Sequence, residues 1–292
     1  MARFAVAALV LGLLGCSSVT DCGEVKDDIL HIISNGVTVY QNEMPWHTGI
    51  YLKTTTPYKQ ICGGSIVRPS IVISAAHCFW SDNKGVLPAN NYAVAAGNIY
   101  RPWNDPQNNS QKADVESINI PDRYRGVATN YMEDLAVLVL SKSFDYAPNV
   151  SPITLDFNEN LDRLQLTPGN MGKIVGWGLT GSNGPASQVL KQVQLPIVSF
   201  KQCFDDSPPS FRPFIGCDKF CAGYTDSDIA VCRGDSGGGL VVGIEENGEI
   251  HYYFRGVAST AASDDNLCNV NSFSTFTHLQ KHESFIKEYL KD

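Results

Sequence analysis

Gly234-Asp235-Ser236-Gly237-Gly238-Gly239 is the stretch on which the reading of this chain turns. It holds a serine in a loop too rich in glycine to exist for packing. Glycine permits positive φ and close approach of backbone N–H groups to a ligand, as a loop that stabilises an anion requires. The formal pattern Gly-x-Ser-x-Gly also fits the nucleophile elbow between a strand and a helix of a parallel α/β sheet. That alternative needs strands alternating with helices, and an acid and a histidine downstream. The alternation is absent, and the tail's His278 and His282 would have to serve.

Outward from the loop, the chain after Ile33 is a succession of short apolar runs at strand length: Thr48–Leu52, Ser65–Val67, Ile71–Ser74, Tyr92–Ala95, Leu135–Leu140, Lys173–Val175, Val189–Gln194, Leu240–Ile244 and Tyr252–Val257. Cys62-Gly63-Gly64, Gly181 to Pro185 and Asn247-Gly248 punctuate them as turns. Helical spacing is convincing once, where Leu279, His282, Phe285, Ile286, Tyr289 and Leu290 share a face at the C-terminus. Many short strands without intervening helices imply an all-β antiparallel barrel or sandwich. The Pro- and Asn-rich stretch 144–166 reads as a crossover between two halves.

Composition narrows the function. An apolar share of 43% and a charged share of 18% describe a chain able to bury a core. The net charge of −8, with no Lys/Arg run, excludes an electrostatic grip on nucleic acid or an anionic membrane. Arg3, the apolar stretch Phe4–Leu14 and the small residues Gly15 to Ser18 read as a secretory signal over residues 1–18. The rival is a bacterial lipoprotein signal with Cys16 lipidated. No later segment is apolar and long enough to span a bilayer, so the product is expected to be secreted. Nine Cys become eight once Cys16 leaves with the signal, an even number that reads as disulfides. No Cys-x-x-Cys or His-x3-His pair suggests zinc, and neither metal nor cofactor is expected. Asn108 and Asn149 head glycosylation sequons.

Two further segments bear reactive residues. In Ser74-Ala75-Ala76-His77-Cys78 the histidine adjoins an apolar strand, where a lone His is more often structural. Asp134 opens the buried run Leu135–Leu140, where an acid alone is usually a cap. Together, in the order His77, Asp134, Ser236, the three segments resemble the chymotrypsin-like (trypsin-family) serine proteases from Ile33 to the C-terminus. In style they are closest to arthropod proteases of the gastrulation-defective and modular type. The resemblance implies two antiparallel six-stranded β-barrels with a C-terminal α-helix. It makes His77 the general base, Asp134 its orienting acid and Ser236 the nucleophile, with the N–H groups of Gly234 and Ser236 as the oxyanion hole. A serine hydroxyl is a poor nucleophile until a positioned imidazole takes its proton, and a buried carboxylate fixes the imidazole tautomer.

The same resemblance implies the pairs Cys62–Cys78, Cys203–Cys221 and Cys232–Cys268. A fourth family pair is missing at both ends, where Gly172 and Val242 stand, so no stray thiol is left. Pro45-Trp46, Gly176-Trp177-Gly178 and Ser259 also fall where the family puts them, and Ser259 should bond near Asp134. Cys22 and Cys217 remain; they either pair with each other, the favoured reading, or both meet other chains. The family's pocket floor is Ala230, where Asp would select Arg or Lys. Ser259-Thr260-Ala261 replaces the usual pocket wall, and Ser274 stands at another usual glycine. An uncompensated cation would lose its hydration there, so medium apolar side chains (Leu, Met, Val) are expected to be preferred over Arg.

The resulting expectation is a secreted serine endopeptidase made as a zymogen, acting on protein or peptide substrates and open to control by a serpin-type inhibitor. A digestive or venom protease, or a pseudoprotease serving as a binding cofactor, are the alternatives. Residues 19–32 would be a short light chain or propeptide and 33–292 the protease domain. Ile33, twelve residues before Pro45, is the expected new amino terminus, and Asp235 its partner. The residues before it, Leu30-His31-Ile32, are apolar or His rather than Arg or Lys. Lys26 is the nearest basic residue upstream. That pattern fits cleavage by the protease itself.

Overall fold

Ile71-Val72-Ile73-Ser74 is buried at every position. A β-branched run covered on both faces forms a strand, because branching at Cβ suits the pleated surface and crowds a helix. The computed structural model describes residues 36–180, 184–227, 229–261 and 272–291. Within them this run is β3 of a closed barrel made of β1 (His47–Leu52), β2 (Lys59–Arg68), β3 (Ile71–Ser74), β4 (Tyr92–Ala96), β5 (Gln111–Asn119) and β6 (Ala136–Leu140). The ring runs β1-β2-β3-β6-β5-β4 and every pairing is antiparallel. β5 alternates buried Ala113 and Val115 with exposed Asp114 and Glu116, which hides its strand character from a search for apolar runs.

The second half uses β7 (Met171–Gly176), β8 (Lys191–Val198), β9 (Lys219–Ala222), β10 (Gly239–Glu246), β11 (Glu249–Ala261) and β12 (Ser274–His278). Their order is β8-β7-β10-β11-β12-β9, and pairing of β9 back onto β8 closes the second six-stranded antiparallel barrel. A short edge strand, Val37–Thr38, adds to β8. Both barrels lie in one compact unit, His31–Asp292.

Residues 144–166 join the barrels and include a helix, α1 (Glu159–Gln165), whose free N–H groups are capped by the Asn158 side chain. Helix α2 (Phe200–Asp206) is capped by Ser199 and tied to β9 by the Cys203–Cys221 disulfide. At the C-terminus the periodic stretch is split: Leu279–His282 is a 3₁₀ turn, and α3 spans only Glu283–Glu288. Among the described residues no helix is long and apolar enough to cross a membrane. The expected signal, residues 19–32, Ile33, Cys22 and Cys268 lie outside the described residues.

Cys217 is an exposed free thiol among the described residues, and Cys22, the partner expected for it, lies outside them. It sits between Gly216 and Asp218, just before β9. The sequon asparagines carry structural bonds. Asn108 Oδ1 accepts from the N–H groups of Ile99 and Tyr100 at 3.0 and 2.9 Å, and Asn149 Nδ2 donates to Asn109 O at 2.8 Å.

Candidate active site

The first barrel delivers an imidazole and a carboxylate. His77 lies on the 3₁₀ turn Ala76–Phe79 that follows β3. The Cys62–Cys78 disulfide fixes that turn to β2. Asp134 precedes β6 at the end of a loop in which Asn130, Tyr131 and Glu133 all have positive φ, of 50°, 55° and 59°. Bulky residues in this region cost on the order of 1 kcal/mol each and persist only where surroundings enforce them. Those surroundings are visible: the Glu133 N–H donates to the buried Asp218 carboxylate at 2.7 Å, and Arg123 pairs with the Glu133 side chain.

Asp134 is 0% exposed and its carboxylate is surrounded by donors. The His77 backbone N–H donates to Oδ1 at 2.8 Å, while His77 Nδ1 and Ser259 Oγ lie 2.8 and 2.6 Å from Oδ2. Thr277 Oγ1 donates to the Asp134 carbonyl at 2.9 Å. Burial raises the carboxyl's pKa, but the His77 charge and hydrogen bond, the Lys219 charge and the Ser259 hydroxyl together outweigh it. The net position is below the ordinary carboxylate value. An ionised Asp134 accepting from Nδ1 leaves Nε2 of His77 as the nitrogen able to take a proton.

The second barrel delivers the glycine-rich loop before β10. Ser236 is partly exposed; its carbonyl accepts from the Gly63 N–H of β2 at 2.8 Å, and its Oγ makes no hydrogen bond to His77 or to any other described residue. Gly234 and Gly237 have φ of +108° and +78°. A Cβ on Gly237 would stand 2.6 Å from Gly63 O, so both conformation and space require glycine there. Asp235 turns the other way, inward, and is 2% exposed. Its oxygens accept from the N–H groups of Gly178 at 2.8 Å and Cys232 at 3.0 Å. The carboxylate lies flush on Gly176-Trp177-Gly178, where a Cβ on either glycine would fall within 2.2 Å of it. No cation reaches it among the described residues, and burial lifts its pKa to about 6 against the two backbone bonds.

The expected pocket residues divide. Ala230 is buried beside Cys232 and Leu179. Cys232 is disulfide-bonded. Ser259, Thr260 and Ala261 line a groove of about 420 Å³ with His77, Tyr131 and Phe214. Ser274 is buried, and its neighbour Thr275 shares a 2.7 Å hydroxyl contact with Thr260. Sequence reasoning passed over Tyr131, Phe211 and Phe214, which wall the groove from two loops. Their only trace in sequence was aromatic residues in polar segments.

The family model for Trypsin matches residues 33–282. The chain is 29% identical over 273 residues to the modular serine protease of Drosophila melanogaster, covering 91% of this chain and 41% of that one. To the proclotting enzyme of Tachypleus tridentatus it is 32% identical over 220 residues, covering 74% and 55% respectively. A 29% identity over 230 residues links it to coagulation factor IX of Oryctolagus cuniculus, with 78% and 76% covered. This chain therefore spans about half or less of the two arthropod relatives it matches. A matched region of this extent, carried on two six-stranded antiparallel barrels, makes the chain a member of the trypsin family of serine endopeptidases.

Proposed function

We propose that the chain is a secreted serine endopeptidase, made as a zymogen, that hydrolyses peptide bonds through His77, Asp134 and Ser236. The observation that carries this reading is the sealed Asp134 carboxylate with the His77 N–H, His77 Nδ1 and Ser259 Oγ converging on it. In the reaction Ser236 Oγ attacks the scissile carbonyl carbon as His77 Nε2 takes the hydroxyl proton. The carbonyl oxygen becomes an oxyanion facing the N–H groups of Gly234 and Ser236, each such donor commonly being worth roughly 3 kcal/mol in the transition state. His77 then gives its proton to the leaving amine as the C–N bond breaks. Water, deprotonated by the same imidazole, releases the acyl group from Ser236. Apo geometry is often loose at such a nucleophile, so the absent Ser236–His77 bond does not weigh against the role.

Ala230 supports a preference for medium apolar side chains over Arg or Lys, because the pocket floor has no carboxylate to replace a cation's hydration. Asp235 supports activation by a new amino terminus at Ile33. It is a buried carboxylate with two backbone donors and a raised pKa, and no cation pairs with it among the described residues. Leu30-His31-Ile32 upstream suits the apolar pocket, which favours self-cleavage. Similarity to a modular serine protease and a proclotting enzyme favours a place in a proteolytic cascade with protein substrates.

Fluorophosphonate labelling of protein cut at Ile33 tests the chemistry: Ser236 should be labelled, and Ser236→Ala or His77→Ala should lower turnover on the order of 10⁶-fold. A loss under tenfold overturns the triad. Ser236→Ala protein that still converts to an Ile33 terminus with no added protease excludes self-cleavage.

A further inference from the structure

Lys219 is 7% exposed, and its Nζ is fully buried with no hydrogen bond. Among the described residues it makes no ion pair. It opens β9 directly opposite Thr277 of β12, whose hydroxyl donates to the Asp134 carbonyl. The preceding residue, Asp218, takes the Glu133 N–H with Oδ2, while its Oδ1 is buried and unbonded. The start of β9 thus presents a cation and an anion, each short of partners, to the turn that carries Asp134. A buried ammonium without a partner costs several kcal/mol, and an apolar side chain would fill the same space at no such cost. Packing alone therefore does not account for lysine here.

We propose that Lys219 is a positioning residue for the catalytic pair: its buried ammonium holds Asp134 as the carboxylate and disfavours the imidazolium form of His77, which extends activity to lower pH. The inference rests on the triad reading above. Charge is the means of action. Among the described residues, the only cationic groups that act on Asp134 are His77 and Lys219. Burial lowers the lysine's own pKa, and the Asp134 and Asp218 charges work against that lowering.

Other titratable groups nearby are accounted for. His278, next to Thr277 on β12, points to the opposite face and bonds Asp162. The Arg123–Glu133 pair lies on the outer side of the turn, with Arg123 86% exposed at its side chain. Tyr131 meets the His77 ring edge-on at 6.2 Å, and the Asp82 charge reaches Tyr131. None of these supplies a second buried cation. The Lys219 charge favours the ionised Asp134 carboxylate, and a positive charge close to the catalytic pair opposes a further positive charge there, so removing it should move the acid limb of activity to higher pH.

The test is the pH dependence of kcat/KM from pH 4.5 to 9 on a chromogenic peptide ending in Leu, using protein cut at Ile33. Lys219→Met should move the acid midpoint up by about half to one pH unit, the size of effect one nearby buried charge produces. Rates at pH 5.5 should fall roughly three- to tenfold, with little change at pH 9. Lys219→Arg, which keeps the charge, should retain the parent midpoint. A uniform loss across pH with an unmoved midpoint assigns Lys219 to packing and overturns the proposal. Should Lys219→Met not fold, NMR titration of the His77 imidazole in Ser236→Ala protein, with and without Lys219→Gln, reads the same shift without turnover; equal midpoints overturn it. Parent protein that fails to react with a fluorophosphonate defeats the triad reading before any Lys219 variant is compared.

Discussion

Asp134 and Asp235 are carboxylates of one site, sealed from solvent at 0% and 2% exposure, and their surroundings push them in opposite directions. Asp134 sits where the first barrel meets Ser259 and Thr277 of the second, and it is given a ring N–H, a backbone N–H, a hydroxyl and the field of Lys219. Its negative charge is stabilised in place. Asp235, across the glycine loop, rests on the backbone of Gly176-Trp177-Gly178 with two N–H donors and, among the described residues, no cation. Its pKa rises to about 6. Burial alone therefore does not fix what a carboxylate does. The number of donors and the presence of a cation decide whether it is a standing charge or one awaiting a partner.

The comparison can be broken most directly at Asp134. Asp134→Asn keeps the shape but lets the amide donate to the imidazole, which holds the wrong tautomer, and kcat should fall on the order of 10⁴-fold with a smaller change in KM. Steady-state kinetics on cut protein measures this, and a loss under tenfold would falsify the role of the standing charge.

Asp235 sharpens the contrast through stability. Its folded pKa of about 6 lies above the ordinary carboxyl value of 3.8, so the carboxyl binds its proton more tightly in the folded state. That contribution is complete below the unfolded pKa and is lost as pH rises through about 6, amounting to about 3 kcal/mol in uncut protein. His47 works the other way: buried and held neutral, with its pKa lowered to about 3, it contributes stability above its ordinary 6.5 that disappears as pH falls. The quantity to measure is therefore the difference between parent and Asp235→Asn in urea unfolding at pH 4 and pH 7.5. Asp235→Asn should gain on the parent as pH rises; parallel curves would show that Asp235 already has a cation. In cut protein the sign should reverse, because the ammonium at Ile33 favours the ionised form.

The smallest effect is expected at Ser259. Ser259→Ala removes one donor from Asp134 and leaves the two from His77, so kcat should fall roughly tenfold, in keeping with one hydrogen bond to a charged group. A loss as large as that of Asp134→Asn would mean that Ser259, and not His77, sets the carboxylate.

The segments around Asp134 and Ser236 were legible because their chemistry lies in short contiguous runs. β3 matches its apolar run residue for residue, since Ile71–Ser74 is buried throughout. β5, β9 and β12 were missed for a common reason: small or polar residues among their buried positions break the apolar run. Ala113 and Val115 alternate with acids; Lys219 opens β9; Thr275 and Thr277 are fully buried on β12. A lysine in sequence reads as solvent-facing, and only the placement of β9 against the Asp134 turn shows otherwise. The caps of α1 and α2, Asn158 and Ser199, were visible, but each precedes a helix of only 7 residues with little periodicity to weigh. The Cys22–Cys217 pairing rests on elimination, which pairs leftover cysteines whatever their positions in space, and Cys22 lies outside the described residues. The activation segment lies outside the described residues, and its reading rests on sequence spacing together with the state of Asp235.

Trp177, 1% exposed, donates from Nε1 to Ile99 O at 3.0 Å and lies 5.1 Å from the His47 ring. The glycines on either side of it are those that bear Asp235. An indole so placed is an optical gauge. Its emission depends on the local field and on contact with neighbouring rings, and any event that adds a cation to Asp235 changes the field one residue away. Trp80, by contrast, is partly exposed and lies against Tyr124 in the first barrel, far along the chain from this loop. The change of state at Asp235 is therefore written into the protein's intrinsic fluorescence and can be followed in time without an attached dye.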